Sequence, residues 1–297
     1  MKDSYPSISL ARFCRLLGIT RQAFYQHFWH LTDVSTEHQL VLDRIKQIRM
    51  DHPVIGGRKL YCLLQPFLLE HQIKIGRDAL FDLLAAHKLL VRRRKRKIIT
   101  TWSNHWLKKY PNLIKHWIPE APNQLWVADI TYVEASSGFL YLSLITDAYS
   151  HKVMGYHIAG TLESVHTTQA LKMALAQLPP FHKLIHHSDR GLQYCSNEYV
   201  DLLKENNIQI SMTENGDPLE NALAERMNGI IKNEYLQFES INKSTAMQIL
   251  KSTVVKYNED RPHTSINMLT PQRVHQEQLL VNRKWSKKRQ LFNIVTQ

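Results

Sequence analysis

Cysteine is nearly absent: Cys14, Cys62 and Cys195 are three among 297 residues, odd in number and far apart. That excludes a disulfide framework and fits a reducing compartment. No Cys-x-x-Cys accompanies the His27-x-x-His30 pair, so ordinary surface histidines outweigh a structural zinc site. No apolar run has the roughly 20 residues of a membrane span, and no signal peptide is recognisable. The expected location is the cytoplasm, in contact with the nucleoid. Heptads are missing too, so any coiled coil would have to come from elsewhere. Acidic residues are in deficit, 26 against 38 basic ones, which leaves a net charge of +12. Where the basic residues cluster, such a balance points to a polyanionic partner.

They do cluster. Arg92, Arg93, Arg94, Lys95, Arg96 and Lys97 form an unbroken run, read as phosphate contacts rather than a merely solvated linker. Five more basic residues lie in 283–289. Upstream, Ile8 to Phe28 reads as two short helices about a turn at Gly18. Leu10, Phe13, Leu16 and Leu17 supply an apolar stripe, and Thr20 can cap the second helix. This is helix–turn–helix spacing, with Arg21, Gln22 and Gln26 as potential DNA contacts; a plain helical hairpin is the alternative. Thr36 to Met50 forms a further helix, Arg58 begins another that Pro66 should kink or end, and Asp78 to His87 makes the next. From Ile98 to Gln124 periodicity is lost. Trp102, Trp106 and Trp117 are read there as packing anchors within a linker.

Strand signals dominate after Leu125. Leu125–Val133, Phe139–Asp147 and Lys152–Ala159 suit an antiparallel meander. A helix over Ser164–Gln177, a strand over Lys183–His187, a helix over Asn197–Asn206, a strand over Ile208–Met212 and a last helix around Glu225 follow. Asp129 falls within a strongly β-prone run, where a carboxylate is costly unless paired or bound to a cation. Asp189 stands just past a strand end, where functional groups of α/β sheets gather. On the final helix, Asn221, Asn228, Gly229 and Lys232 share the side of Glu225, opposite Leu223, Met227 and Ile230. Asp147 and Glu234 are set aside, the first as a strand end and the second as pointing elsewhere. Three carboxylates on two strands and one helix suit Mg²⁺, which takes carboxylates, waters and phosphate oxygens.

Here the spacing becomes specific: 59 residues separate Asp129 from Asp189, and 35 separate Asp189 from Glu225. With Trp-x-x-Asp-Ile-Thr-Tyr, His-Ser-Asp-Arg-Gly-x-Gln-Tyr and Asn-Ala-x-Ala-Glu, the chain resembles bacterial insertion-sequence transposases of the Asp-Asp-Glu type. More closely, it resembles those whose second reading frame encodes a retroviral-integrase-like catalytic core. Lys232 and the downstream Tyr257-Asn258-Glu259-Asp260-Arg261-Pro262-His263 stretch match as well. The resemblance covers about Arg44 to Arg273.

It implies an α/β, RNase-H-like core preceded by all-α helix–turn–helix-like modules, with the first and fourth strands side by side. The expected domains are a helix–turn–helix-like segment at 1–34, a helical DNA-binding module with a basic end at 35–97 and a linker at 98–123. The catalytic core would span 124–238, and a C-terminal helix with a basic tail 239–297. Asp129, Asp189 and Glu225 would hold two Mg²⁺ ions, with Mn²⁺ able to substitute, for strand cleavage and strand transfer at element ends. Lys232, Asn221, Asn228, His187, Arg190, Arg261 and His263 would lie against double-stranded DNA. A homo-oligomer on DNA and a protein from an upstream frame are the further partners implied. The alternatives are a non-catalytic, regulatory DNA-binding derivative and a structure-selective nuclease of the same fold.

Overall fold

The computed structural model describes residues 9–91, 106–115, 117–136, 138–180, 182–214, 221–236 and 241–281, the side chains of 26–35 excepted. The basic run 92–97 and the basic stretch 283–289 therefore lie outside the described residues. So do Trp102 and the side chains of Gln26, His27, Phe28 and His30. Among the described residues no helix is long and apolar enough to cross a membrane.

The chain divides into two compact units, one within Met1–Met50 and Leu63–Leu90, the other within Asp51–Cys62 and Val91–Gln297. The first is helical. Helix α1 spans Leu10–Leu16 and α2 spans Arg21–Asp51. The Thr20 hydroxyl caps α2, accepting from the Ala23 amide at 3.0 Å. The expected break between residues 28 and 36 does not occur, and α2 runs on as one 31-residue helix. Phe13 is buried as expected, but Leu16 and Leu17 stand exposed at the end of α1.

Helix α3 spans Gly57–Glu70 with Pro66 inside it, so the proline does not end the helix. Its missing N–H and ring clash typically cost about 3 kcal/mol. The buried stripe of Leu60, Leu64 and Leu68 along the same helix offsets that. Helix α4, Arg77–Ala86, buries Leu80, Leu83 and Leu84.

The second unit is built on a five-stranded sheet. Strand β1 is Leu125–Ala135, β2 Gly138–Asp147, β3 Val153–Ala159, β4 Ile185–Ser188 and β5 Gln209–Met212. Their order across the sheet is β3-β2-β1-β4-β5. The first three form the expected antiparallel meander, while β4 runs parallel to β1 and β5 parallel to β4. That order and those directions, with helices after β3, β4 and β5, are the RNase-H-like fold.

Both faces of the sheet are covered. Helices α5, Ser164–Leu175, and α6, Asn197–Glu205, close one face over Trp126, Ile145, Met154 and Ile210. Helix α5 approaches β3 so closely that a Cβ on Gly155 would stand 2.0 Å from the Ala170 carbonyl oxygen, a place only glycine fits. The other face packs on helix α7, Ala222–Ile230, the π-helical turn Ile231–Tyr235 that prolongs it, and helix α8, Ala246–Glu259. Helix α9 is Pro271–Glu277.

The linker lies on protein where it is described. Leu107 and Tyr110 pack on the core that α5 and α6 cover, and the Leu113 amide donates to Ser211 Oγ on β5 at 2.9 Å. Trp106, expected to be a packing anchor, is instead 90% exposed.

Candidate active site

The sheet register brings two of the expected carboxylates together. Val127 on β1 pairs with His187 on the parallel β4. Asp129 lies two residues beyond the one on β1, and Asp189 lies two beyond the other, just past the end of β4, so the register carries both to the same end of the strand pair, within electrostatic reach of each other. Parallel pairing of these two strands is what turns a 59-residue separation into adjacency.

Each aspartate is held in place. Asp189 Oδ1 accepts the Gly191 N–H at 3.0 Å, and a Cβ on Gly191 would come within 2.9 Å of that same oxygen. Asp129 Oδ2 accepts from Asn228 Nδ2 at 3.0 Å. Asn221, at the start of α7, donates from Nδ2 to the Ala128 carbonyl at 3.2 Å. These two amides fasten α7 to β1 at both ends of its exposed acid, Glu225, which sits in the helix's first turn. The buried side of α7 is Ala224, Met227 and Ile230, packed on the sheet, so Glu225 faces outward by helical periodicity.

The electrostatics are those of crowded carboxylates. Burial, then the Asp189 charge, then more weakly Glu225, push the Asp129 carboxyl up to about 7; the Asn228 bond and the Ile130 amide oppose the rise. The buried amide oxygens of Asn221 and Asn228 have no hydrogen-bond partner. The Tyr194 hydroxyl, buried without a partner and within electrostatic reach of both aspartates, is pushed well above the usual phenol range by burial first. Among the described residues no three His, Cys, Asp or Glu side chains close into a ready metal cage.

A hard divalent cation fits this donor set. Every candidate ligand is an oxygen, the charge on Asp129 is poorly compensated, and orphaned amide oxygens flank it to take hydrogen bonds from bound water. Asp129, Asp189 and Glu225 are the residues that would hold it.

Other expected contacts are placed differently. Lys232 and Arg190 are half-buried, and Arg21 and Gln22 are exposed at the start of α2. His187 is fully buried, its Nδ1 bonded to Ser211 Oγ at 2.8 Å, and joins β4 to β5 rather than facing solvent. Arg261 and His263 are buried as well. Arg261 Nε and Nη2 donate to the two oxygens of Glu234 at 2.8 Å each, and Nη1 reaches His263 Nε2 at 2.7 Å. Asp147 is a structural acid, taking the Asn123, Tyr149 and Ser150 amides. The sequence reading missed Tyr194, although it ends the Asp189 motif, and it missed the anchoring part of Glu234.

The RNase-H-like sheet, together with the family matches that follow, defines a polynucleotidyl transferase of the Asp-Asp-Glu class. Comparison with known proteins agrees. The integrase core domain family matches residues 119–218, and a second family of the same description matches 206–271. The 31 kDa protein of insertion element IS600 from Shigella sonnei is 34% identical over 264 residues, 87% of this chain and 95% of that one. The transposase of insertion sequence element IS629, also from Shigella sonnei, is 31% identical over 71% of this chain and 70% of its own length. Transposase InsF of insertion sequence IS3fB from Escherichia coli K12 is 26% identical over 91% of this chain and 95% of its own. Among solved structures, the HTLV-2 integrase catalytic core domain in complex with magnesium is 22% identical, with a TM-score of 0.43, over 52% of this chain and 97% of that chain. The chain belongs to the insertion-sequence transposases with an integrase-like core.

Proposed function

We propose that this transposase cuts and joins DNA strands at insertion-sequence ends, with Asp129, Asp189 and Glu225 as its metal-holding catalytic acids. The observation that supports the reading is the parallel β1–β4 register, which carries Asp129 and Asp189 to the same end of the strand pair, with the Glu225 helix fastened to β1 by Asn221 and Asn228. A pair of Mg²⁺ ions, or Mn²⁺ in their place, would supply Lewis-acid charge at the attacking and leaving oxygens of an in-line phosphoryl displacement.

The chain's own residues supply positioning. Asn228 orients the Asp129 carboxylate and favours its ionised form. The Gly191 amide fixes Asp189, and the absence of a side chain there leaves that carboxylate its room. Lys232, on the turn that prolongs α7, is the proposed ammonium for a phosphate of the bound DNA. No covalent enzyme intermediate is required, because in-line transfer needs only aligned oxygens and neutralised charge.

Double-stranded DNA is the proposed substrate, both as element ends and as target, with the +12 net charge favouring it. The enzyme would act at the nucleoid as a homo-oligomer assembled on DNA, with a protein from an upstream frame as a further partner. Arg21 and Gln22, exposed on α2, are the proposed helix–turn–helix contacts. The test is direct: labelled duplexes ending in the element's own termini should yield cut and joined strands with Mg²⁺ and none with EDTA. Products that form equally in EDTA would remove the metal from the account.

A further inference from the structure

Arg261 is one of the largest fully buried side chains of the protein, 1% exposed, and it is a cation. Burial of a guanidinium is tolerated only with its charge matched and its donors used. Here the charge is matched and three of the five N–H donors are used. Glu234 takes a two-point fork from Nε and Nη2, His263 Nε2 receives Nη1, and the Tyr257 ring lies beneath the guanidinium carbon at 5.8 Å. The accepting Nε2 requires a neutral His263, and burial together with the Arg261 charge holds its pKa well below the usual histidine range. His263 is itself wedged edge-on against Tyr257 and His151, and the Tyr257 hydroxyl donates to the His151 carbonyl at 3.0 Å. A second cation, Lys59 on α3, stands 3.8 Å from the same carboxylate.

Glu234 is the point of convergence, and its place in the fold gives that convergence a consequence. It sits in the π-helical turn Ile231–Tyr235, which is continuous with α7. A π turn widens the helix by one residue and is a rare element within α-helices. The same turn carries Lys232, and the helix leading into it carries Glu225 and the Asn228 that orients Asp129. On the other side of the turn, the Tyr235 hydroxyl meets His52 Nδ1 at 2.9 Å.

We propose that Arg261 is a positioning residue of the active site: by gripping Glu234 it holds the π-helical turn, and through that turn the placement of Lys232, Asn228 and Glu225. This rests on the reading of Glu225 as a metal-holding acid. It departs from the expectation that Arg261 touches DNA, since a guanidinium sealed from solvent and gripped by Glu234 and His263 does not reach a phosphate.

The experiment uses the full chain with Arg261→Lys, Arg261→Gln and Glu234→Gln, and it has two readouts. One is amide hydrogen exchange of residues 222–236, with β1 and β2 as internal reference; the other is binding of Mn²⁺ alone. Losing a buried charge-assisted fork should speed exchange in 222–236 about tenfold or more, with β1 and β2 unchanged, and weaken Mn²⁺ binding severalfold. Arg261→Lys keeps the charge without the fork, so it should recover thermal stability relative to Arg261→Gln while Mn²⁺ binding stays weak. Should Arg261→Gln fail to fold, Glu234→Gln carries the test, because it removes the same pairing with little change in volume. Exchange that rises equally in the strands would mean a general structural role and overturn the proposal. So would unchanged Mn²⁺ binding in Arg261→Lys and Glu234→Gln. Glu225→Gln separates the underlying reading: it should weaken Mn²⁺ binding and leave exchange in 222–236 alone. Full Mn²⁺ binding in that variant would sink the Glu225 reading without touching the exchange result.

Discussion

Asn228 Nδ2 donates to Asp129 Oδ2 at 3.0 Å, across 99 residues of sequence, and it is the bond that ties the helix of the third acid to the strand of the first. The bond favours ionised Asp129 against burial and the Asp189 charge. Asn228→Ala should therefore raise the Asp129 pKa further and weaken divalent-metal binding near neutral pH by about fivefold, the worth of about 1 kcal/mol. Mn²⁺ titrations at pH 6, 7 and 8 check this. The deficit should shrink as pH rises, and a deficit independent of pH would separate Asn228 from Asp129.

The raised Asp129 pKa also sets a direction for stability without metal. An aspartate with a folded-state pKa near 7 and an unfolded value near 4 holds more protons folded than unfolded between those limits. Its contribution is fully present below about pH 4 and is lost as pH rises through about 7. Buried neutral histidines such as His263 and His52 act oppositely, destabilising the fold as pH falls below their ordinary value. The informative quantity is therefore the wild-type melting curve minus that of Asp129→Asn, both in EDTA. That difference should decline between pH 4 and 7, and a flat or rising one would contradict the assignment.

Gly191→Ala tests the clearance around Asp189. The added Cβ would meet the carboxylate oxygen at 2.9 Å, so the side chain must swing away. We expect at least a tenfold loss of strand transfer, since the buried Gly191 holds Asp189 through its amide and an added Cβ displaces that carboxylate. Wild-type activity would show that Asp189 has room to spare.

Neutralising Arg92–Lys97 should weaken DNA binding and flatten its salt dependence, because each lost phosphate contact lowers the slope of log K on log salt by about 0.9. An unchanged slope in a fluorescence titration would return the run to a solvated linker.

Much of the core was readable from residue order. Alternating strands, turn residues and helix stripes place β1 to β5 within a few residues, because local pattern determines them. The proposed acid trio rests on motif and spacing, since side-chain chemistry at fixed separations is legible without coordinates. What escaped depends on partners distant in sequence. Arg261 and His263 look like surface cations until Glu234, 27 residues away, takes the guanidinium's charge. Similarly, His187 carries no local sign that Ser211 on β5 will bury it. In α3 the cost of Pro66 is local, but the apolar packing that outweighs it is tertiary. Leu16, Leu17 and Trp106 fail in the opposite sense, being apolar by type yet given nothing to pack on among the described residues.

The most direct measurement concerns Glu225→Gln in the full chain, with strand joining and DNA binding followed on the same labelled terminal duplexes. The exposed position of Glu225 makes the substitution neutral for folding, so any loss reports on chemistry. The account predicts joining reduced at least a thousandfold in Mg²⁺, the scale of removing a charge that acts on the transition state, while the binding isotherm stays near wild type. Joining at wild-type rate would remove Glu225 from the mechanism and with it the three-acid site.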